Sequence, residues 1–205
     1  MLFNALLTLL AVLVALSLRP WRTTMPHGPP WPWLACWAVL PLCWGTDKLA
    51  ATSIIQPLSG ACLLLLLAGW PLTVLALLPV AGVMVLLGGM AWPEALHRLV
   101  WLGLVPATLA LGLGAGLRRW LPRHLFIYIM GRGFFTTWIA VATAGLLALA
   151  LVDAPVGTDS GDLVLARFLT ASGEAFITGM LTAIFVAFRP QWLATYSDNL
   201  YLPRD

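Results

Sequence analysis

The chain has 205 residues, of which 61% are hydrophobic and only 9% are charged, and its mean hydropathy is +0.94. A soluble domain is about 45–50% apolar and about 25% charged, so this composition excludes a soluble enzyme, a soluble nucleic-acid binder and a disordered chain. The formal net charge of +3 is therefore interpreted as a signal of membrane orientation, and no nucleic-acid partner is expected.

Apolar runs divide the chain into seven segments, which are candidate membrane spans because about 20 apolar residues cross a bilayer. In chain order they cover residues 2–18, 31–44, 51–69, 70–92, 99–117, 125–152 and 164–188. Gly69-Trp70-Pro71 separates the third from the fourth, since one helix over both would be about 63 Å long, twice a bilayer. The prediction is an all-α, polytopic transmembrane helical bundle that forms one integral membrane domain over residues 1–205.

The few charges predict the orientation of this bundle. With the N-terminus outside, most of the cationic side chains fall on the cytoplasmic side: Arg19, Arg22, Arg118, Arg119, Arg123, Arg189 and Arg204. The acidic side chains of the loops fall outside: Asp47, Glu94, Asp153, Asp159 and Asp162. Of the cationic loop residues, only Lys48 and Arg98 fall outside with them. This distribution follows the positive-inside rule and predicts a cytoplasmic C-terminus. If the short segment 31–44 only lies in the interface, the N-terminus moves inside, while residues 51–188 keep their orientation.

Two full charges fall inside predicted spans. Arg132 lies in the sixth segment, and Glu174 lies in the seventh. A charge in a bilayer costs several kcal/mol unless it is paired or hydrated, so both residues are candidates for function. Their depths differ by about 9 Å of helix rise, which makes an ion pair between them difficult, and a satisfied polar network is the alternative.

Small residues recur at every fourth position of the seventh segment: Ala171, Ala175, Gly179, Ala183 and Ala187. A row of this kind lets two helix backbones approach closely, so it predicts a helix-packing surface. The facing helix belongs either to this chain or to a partner.

Motifs for catalysis and for metal binding are sparse. The sequence contains no Walker A loop and no nucleophile–histidine motif within a span, so neither P-loop ATP hydrolysis nor another enzymatic activity is expected. Cys36 and Cys43 share a helix face, and Cys62 and His97 lie in or near later segments. These soft ligands suggest a metal cluster only as a minor alternative, because buried cysteines usually serve packing.

Several stretches together resemble one family of membrane proteins. They are Gly69-Trp70-Pro71-Leu72, Leu121-Pro122-Arg123-His124-Leu125-Phe126-Ile127-Tyr128-Ile129, Gly173-Glu174-Ala175-Phe176-Ile177-Thr178-Gly179-Met180, and Phe188-Arg189-Pro190-Gln191-Trp192-Leu193 followed by Thr195-Tyr196, Asp198 and Tyr201-Leu202. In this order they resemble the CbiM-like permeases of energy-coupling factor (ECF) transporters, and in particular their short proteobacterial branch. The resemblance covers roughly residues 50–205.

This resemblance implies a seven-helix substrate-capture subunit in the bacterial inner membrane. The cargo implied is cobalt, nickel or a metal chelate, and no resident cofactor is expected. A coupling membrane subunit and cytoplasmic ATPases would be its partners, together with the lipid bilayer. The candidate substrate-binding residues are Glu174, Arg132, Gln56 and Ser53.

The chain departs from the metal-transporting members of that family at two positions. Those members begin with Met-His, whereas this chain begins with Met1-Leu2, and the stretch Ser53-Ile54-Ile55-Gln56 contains no histidine. Imidazole is the usual nitrogen ligand for these ions, so a bare ion is less expected. The alternative is a non-transporting accessory or assembly subunit of a larger membrane complex. An intramembrane enzyme built on Arg132 and Glu174 is the third hypothesis.

Overall fold

The computed structural model describes residues 1–20, 31–46, 56–151, 159–197 and 201. These residues form seven helices and no strand, which confirms the predicted all-α class for this part of the chain. The helices are α1 (Leu2–Ser17), α2 (Trp31–Trp44), α3 (Ala61–Ala68), α4 (Trp70–Leu86), α5 (Trp92–Trp120), α6 (Ile127–Leu151) and α7 (Ser160–Phe188). A 3₁₀ turn, Pro190–Trp192, follows α7.

The seven helices differ widely in length. Of the helices in the described ranges, α5, α6 and α7 are long and apolar enough to cross a membrane, with 29, 25 and 29 residues. Helices α1, α2 and α4 are apolar but have only 16, 14 and 17 residues. Helix α3 has 8 residues, which is about 12 Å of rise. Length and composition therefore identify three of the seven predicted segments as candidate spans.

The prediction that the third segment is one continuous helix is wrong for residues 56–60. These residues are not helical, and α3 begins only at Ala61. Pro57 restricts the backbone before it, and Gly60 has a φ of +65°, which ends any helical path from the N-terminal side. The beginning of the predicted segment, residues 51–55, lies outside the described residues.

The predicted loop position of Arg98 is also wrong. Helix α5 begins at Trp92 instead of Leu99, because Pro93 near its start and Glu94 in its first turn favour a helix N-terminus there. Arg98 is consequently buried, and its guanidinium donates to the Trp44 carbonyl at the end of α2 and to Glu94 Oε1 at 2.8 Å. The end of α2 and the beginning of α5 therefore lie together.

Four helix ends lie together at the other end of the bundle, here called the tail end because residues 190–197 lie there. Thr195 Oγ1 donates to the Leu66 carbonyl near the end of α3, at 3.3 Å, and lies 2.8 Å from the Tyr128 hydroxyl near the beginning of α6. The ring of Trp31, the first residue of α2, contacts the ring of Trp192 with centroids 5.6 Å apart. The end of α7 also lies here, because residues 190–197 follow it directly in the chain.

The row of small residues on α7 faces the interior over part of its length. Ala171, Ala175 and Gly179 are buried, Ala183 is half-buried and Ala187 is exposed. A Cβ atom on Gly179 would lie 3.2 Å from the Cβ atom of Phe134 in α6. This close approach places the buried part of the row against a helix of the same chain.

Candidate functional site

Glu174 lies in the middle of α7 and is only 3% exposed. Its Oε2 atom accepts a hydrogen bond of 2.7 Å from the Ser59 amide, and its Oε1 atom accepts one of 3.0 Å from the Gly60 amide. Ser59 Oγ in turn accepts from the Ala61 amide at 3.1 Å. The carboxylate therefore lies at the N-terminus of α3, where unpaired amides and the helix dipole favour an anion.

Residues 56–60 are held in place by side chains of other helices. Thr170 Oγ1, one turn before Glu174, donates to the Gln56 carbonyl at 3.4 Å. Trp44 Nε1, at the end of α2, donates to the Ser59 carbonyl at 3.0 Å. These bonds satisfy backbone groups that a helix would otherwise pair internally, so they replace helical hydrogen bonding in this segment.

A cavity of about 490 Å³ opens beside the carboxylate, between α2, α3 and α7. Its lining is apolar except for Glu174, Thr178, the two thiols of Cys36 and Cys43, and a few backbone groups. A half-open cavity of this size, with an apolar wall and a few convergent polar groups, is a candidate small-molecule site. We call it the Glu174 cavity.

Of the other predicted substrate residues, Gln56 and Arg132 do not line the Glu174 cavity. Ser53 falls outside the described residues. Gln56 is buried, but its side chain faces Gly145 of α6 instead of the Glu174 cavity, and its Oε1 atom has no hydrogen-bond partner among the described residues. The Nε atom of Arg167, which also packs on Gly145, is likewise buried and unpaired there.

Arg132 is separated from Glu174. It lies in a π-helical stretch of α6, is 7% exposed and packs against Gly114 of α5, where a Cβ atom would lie 3.0 Å from its Nε atom. Its Nε and Nη1 atoms have no hydrogen-bond partner among the described residues, so they do not bond Glu174. The cavity that Arg132 lines shares no residue with the Glu174 cavity.

The described residues include no group of three or more histidine, cysteine or acidic side chains close enough to hold a metal ion. Cys36 and Cys43 do line the Glu174 cavity, on the face of α2 that their spacing of seven predicts. Cys62 is instead buried within α3. The Glu174 cavity therefore does not present the compact ligand set that a bare ion requires.

The amides of Ser59 and Gly60 were not among the predicted site groups. A Ser-Gly pair immediately before the apolar run that begins at Ala61 is a signal for a helix start, and locates the N-terminus of α3. The burial of Arg98 was not predicted either, although Glu94 and Arg98 have the spacing of a helical ion pair.

Comparisons with protein-family models, with curated proteins and with solved structures found no match to this chain. The resemblance to CbiM-like permeases therefore stays a prediction from motifs. Two of the motifs lie at features described above: Gly173 to Met180 surrounds the buried carboxylate, and Phe188 to Leu193 leads into the tail end.

Proposed function

We propose that this protein is a multi-pass subunit of the bacterial inner membrane that captures a substrate for an ECF-type transporter. The observation that carries the proposal is the carboxylate of Glu174, which is buried at the N-terminus of a short helix and lines a cavity of about 490 Å³. The Glu174 cavity is the proposed substrate site.

Membrane physics supports this assignment. Non-helical backbone is tolerated at membrane depth where it is buried in protein or lines a cavity, and residues 56–60 meet that condition through Leu58 and Gly60. Many transporters use discontinuous helices whose N-terminal ends point into a central site. Helix α3 with its extended approach has this form, and an intramembrane carboxylate such as Glu174 is by default a functional group.

The shape of the cavity favours a particular kind of cargo. An apolar wall with one carboxylate suits a molecule that has an apolar body and a cationic or hydrogen-bond-donating group. Because the described residues hold no cluster of metal ligands, a small metal chelate or an organic cation fits better than a bare cobalt or nickel ion.

Charge also supports an orientation. The exposed Arg118 and Arg119 lie in the last turn of α5, Arg123 lies between α5 and α6, and Arg189 follows α7, so all four belong to the tail end. The positive-inside rule places such an end in the cytoplasm, with the C-terminus. With α1 and α2 as short spans, the N-terminus lies outside.

Binding to the purified full chain tests the proposal. Calorimetry with Co²⁺, Ni²⁺, a nickel–histidine chelate and cobalamin should detect saturable binding of at least one probe. Ala35→Trp fills the Glu174 cavity from an exposed position, so we expect about tenfold weaker binding or more. Ala38→Trp, exposed on the same helix but not lining the cavity, is the matched control and should bind normally.

The thiols and the partners refine the test. Cys36→Ser with Cys43→Ser should abolish binding if the cargo is a soft metal ion, and should change it little if it is a chelate.

Affinity purification of the full chain should recover ECF ATPases and a coupling membrane subunit. Recovery of a different membrane complex, with no probe bound and metal uptake unchanged in a deletion strain, would instead support an accessory subunit.

A further inference from the structure

A second polar site lies at the tail end, where α5 ends and α6 begins. Two adjoining cavities of about 20 Å³ and 560 Å³ are both lined by Arg118, Arg123 and Tyr201. Arg119 lines the larger cavity, and Arg132 lines the smaller one. We call the two together the arginine pocket.

The charge of this pocket is not balanced within the described part of the chain. Among the described residues, none with an acidic side chain lines either cavity. Arg132 is buried with its Nε and Nη1 atoms unpaired among the described residues, beside Gly114, where the absence of a side chain leaves room for its guanidinium. Leaving two nitrogen atoms of a buried guanidinium unpaired is costly, so an anion in the pocket would be stabilised there.

The surroundings resemble a membrane interface. Trp120, the last residue of α5, is 80% exposed, and Phe126, just before α6, is 66% exposed. Exposed aromatic side chains at helix ends typically lie at the level of the lipid headgroups. Arg118, Arg119 and Arg123 are exposed beside them and can reach a headgroup, whereas Arg132 contributes its charge from inside the bundle.

We propose that the arginine pocket binds a phosphate-bearing anion. Guanidinium groups form bidentate bonds to phosphate oxygens, and basic pockets between helices on the cytoplasmic side are known to hold anionic lipid headgroups. The phosphate belongs either to an anionic phospholipid or to a soluble compound. The site is independent of the Glu174 cavity, and only its lipid source depends on the membrane placement proposed above.

Two measurements on the full chain separate the sources. Native mass spectrometry of protein released from phosphatidylcholine nanodiscs, with and without phosphatidylglycerol, counts the anionic lipid that stays bound. Titration of inorganic phosphate into delipidated protein in detergent, followed by isothermal titration calorimetry, detects a soluble anion.

Matched variants locate the site. Arg118→Gln with Arg123→Gln changes two exposed side chains, so the fold should persist, and each substitution should weaken binding about fivefold. Arg132→Gln should weaken it further, with the melting temperature recorded as a check on folding. Arg189→Gln, an exposed arginine of the tail end outside the pocket, should leave binding unchanged.

Retention of phosphatidylglycerol that falls in the pocket variants supports a lipid headgroup. A saturable response to phosphate that falls in the same variants supports a soluble anion. If neither signal exists, or if Arg118→Gln with Arg123→Gln changes neither, the proposal is wrong. Cargo binding in the pocket variants reports separately on the Glu174 cavity, so the two proposals fail independently.

Discussion

Among the described residues, Glu174 is stabilised by backbone amides and not by a cationic side chain. Both oxygens of its carboxylate accept amide hydrogen bonds from Ser59 and Gly60, and α3 directs its positive end toward them. Hydrogen bonds to a charged group are stronger than neutral ones, so this arrangement holds α7 against residues 59–60. It also explains how a carboxylate can be buried there without Arg132.

Glu174→Gln should therefore destabilise the fold. The glutamine NH₂ group must face one of the two amides, so one hydrogen bond is lost and two donors are opposed, at a cost of about 1–3 kcal/mol. Thermal unfolding in detergent should show a lower melting temperature. Asp162→Asn, exposed in the first turn of the same helix, is the control and should lower the melting temperature much less, because it loses only a solvent-screened interaction with the helix dipole. Equal melting of the two variants would contradict this account of the carboxylate.

Gly60→Ala should be destabilising for two separate reasons. Its φ of +65° is unfavourable for a residue with a side chain, and the added Cβ atom would lie 2.5 Å from Leu40 Cδ2. We expect a loss of about 1–2 kcal/mol from the backbone conformation alone. Adding Leu40→Ala should relieve the contact but not the backbone strain, so the double variant should be more stable than the sum of the two single changes predicts.

Gly112→Ala is the matched control for that experiment. Gly112 lies in α5 with no atom within 4 Å of an added Cβ and without a positive φ. The substitution should leave the melting temperature unchanged or raise it slightly, because alanine favours a helix. A fall as large as that of Gly60→Ala would show that the assay does not resolve the strain at Gly60.

At the level of elements, α3 is short because tertiary contacts compete with its N-terminal extension. Its own residues are strongly apolar, and all of those from Ala61 to Leu67 are buried. The backbone of residues 56–60 instead forms hydrogen bonds with Glu174, Thr170 and Trp44. These groups therefore do not need helical hydrogen bonds. The interruption leaves the amides of Ser59 and Gly60 free to bond Glu174, whereas a continuous helix would pair them internally.

The contact between α6 and α7 depends on glycine residues, which let the two backbones approach closely. A Cβ on Gly133 would lie 3.1 Å from Thr182 Cβ, and one on Gly179 would lie 3.2 Å from Phe134 Cβ. Backbones this close gain dispersion energy and exclude lipid. The buried half of the row of small residues on α7 therefore packs against a helix of the same chain.

Gly179→Leu should push α6 and α7 apart. Overpacking of this kind costs about 1–3 kcal/mol, so we expect a lower melting temperature and partial aggregation on size-exclusion chromatography. Gly173→Leu places the same side chain on the same helix where nothing lies within 4 Å, and should be tolerated. If Gly179→Leu is equally well tolerated, close packing at this position does not stabilise the bundle.

At the scale of the whole molecule, helices α2 to α7 alternate in direction. The tail end joins the beginning of α2, the end of α3, the beginning of α6 and the end of α7, while Arg98 joins the end of α2 to the beginning of α5. Neighbours in sequence are thus antiparallel, as short connections require. The exposed arginines of the tail end make its position relative to a membrane testable.

Reporter fusions should reveal that position. Alkaline phosphatase inserted at Gly89, between α4 and α5, should be active because this connection is predicted outside. Fusions after Pro122 and at the C-terminus should be inactive, and green fluorescent protein at the same two points should fluoresce. The reverse pattern would overturn the orientation. A matching fusion at the N-terminus decides whether Trp31–Trp44 crosses the membrane.

The sequence by itself determined the all-α class, the limits of Trp31–Trp44 and the position of Glu174 within an apolar helix, because apolar run length and an isolated charge are local properties. Tertiary structure decided the partners of that charge. Ser59 is 115 residues from Glu174 in the chain, and no local periodicity encodes a contact over that separation. The same reason applies to Arg98, whose burial depends on the carbonyl of Trp44, and to Arg132, which packs on Gly114 and not on Glu174. Hydrophobic patterning thus selects the helices, while the assembled bundle decides where each one stops and which polar groups meet.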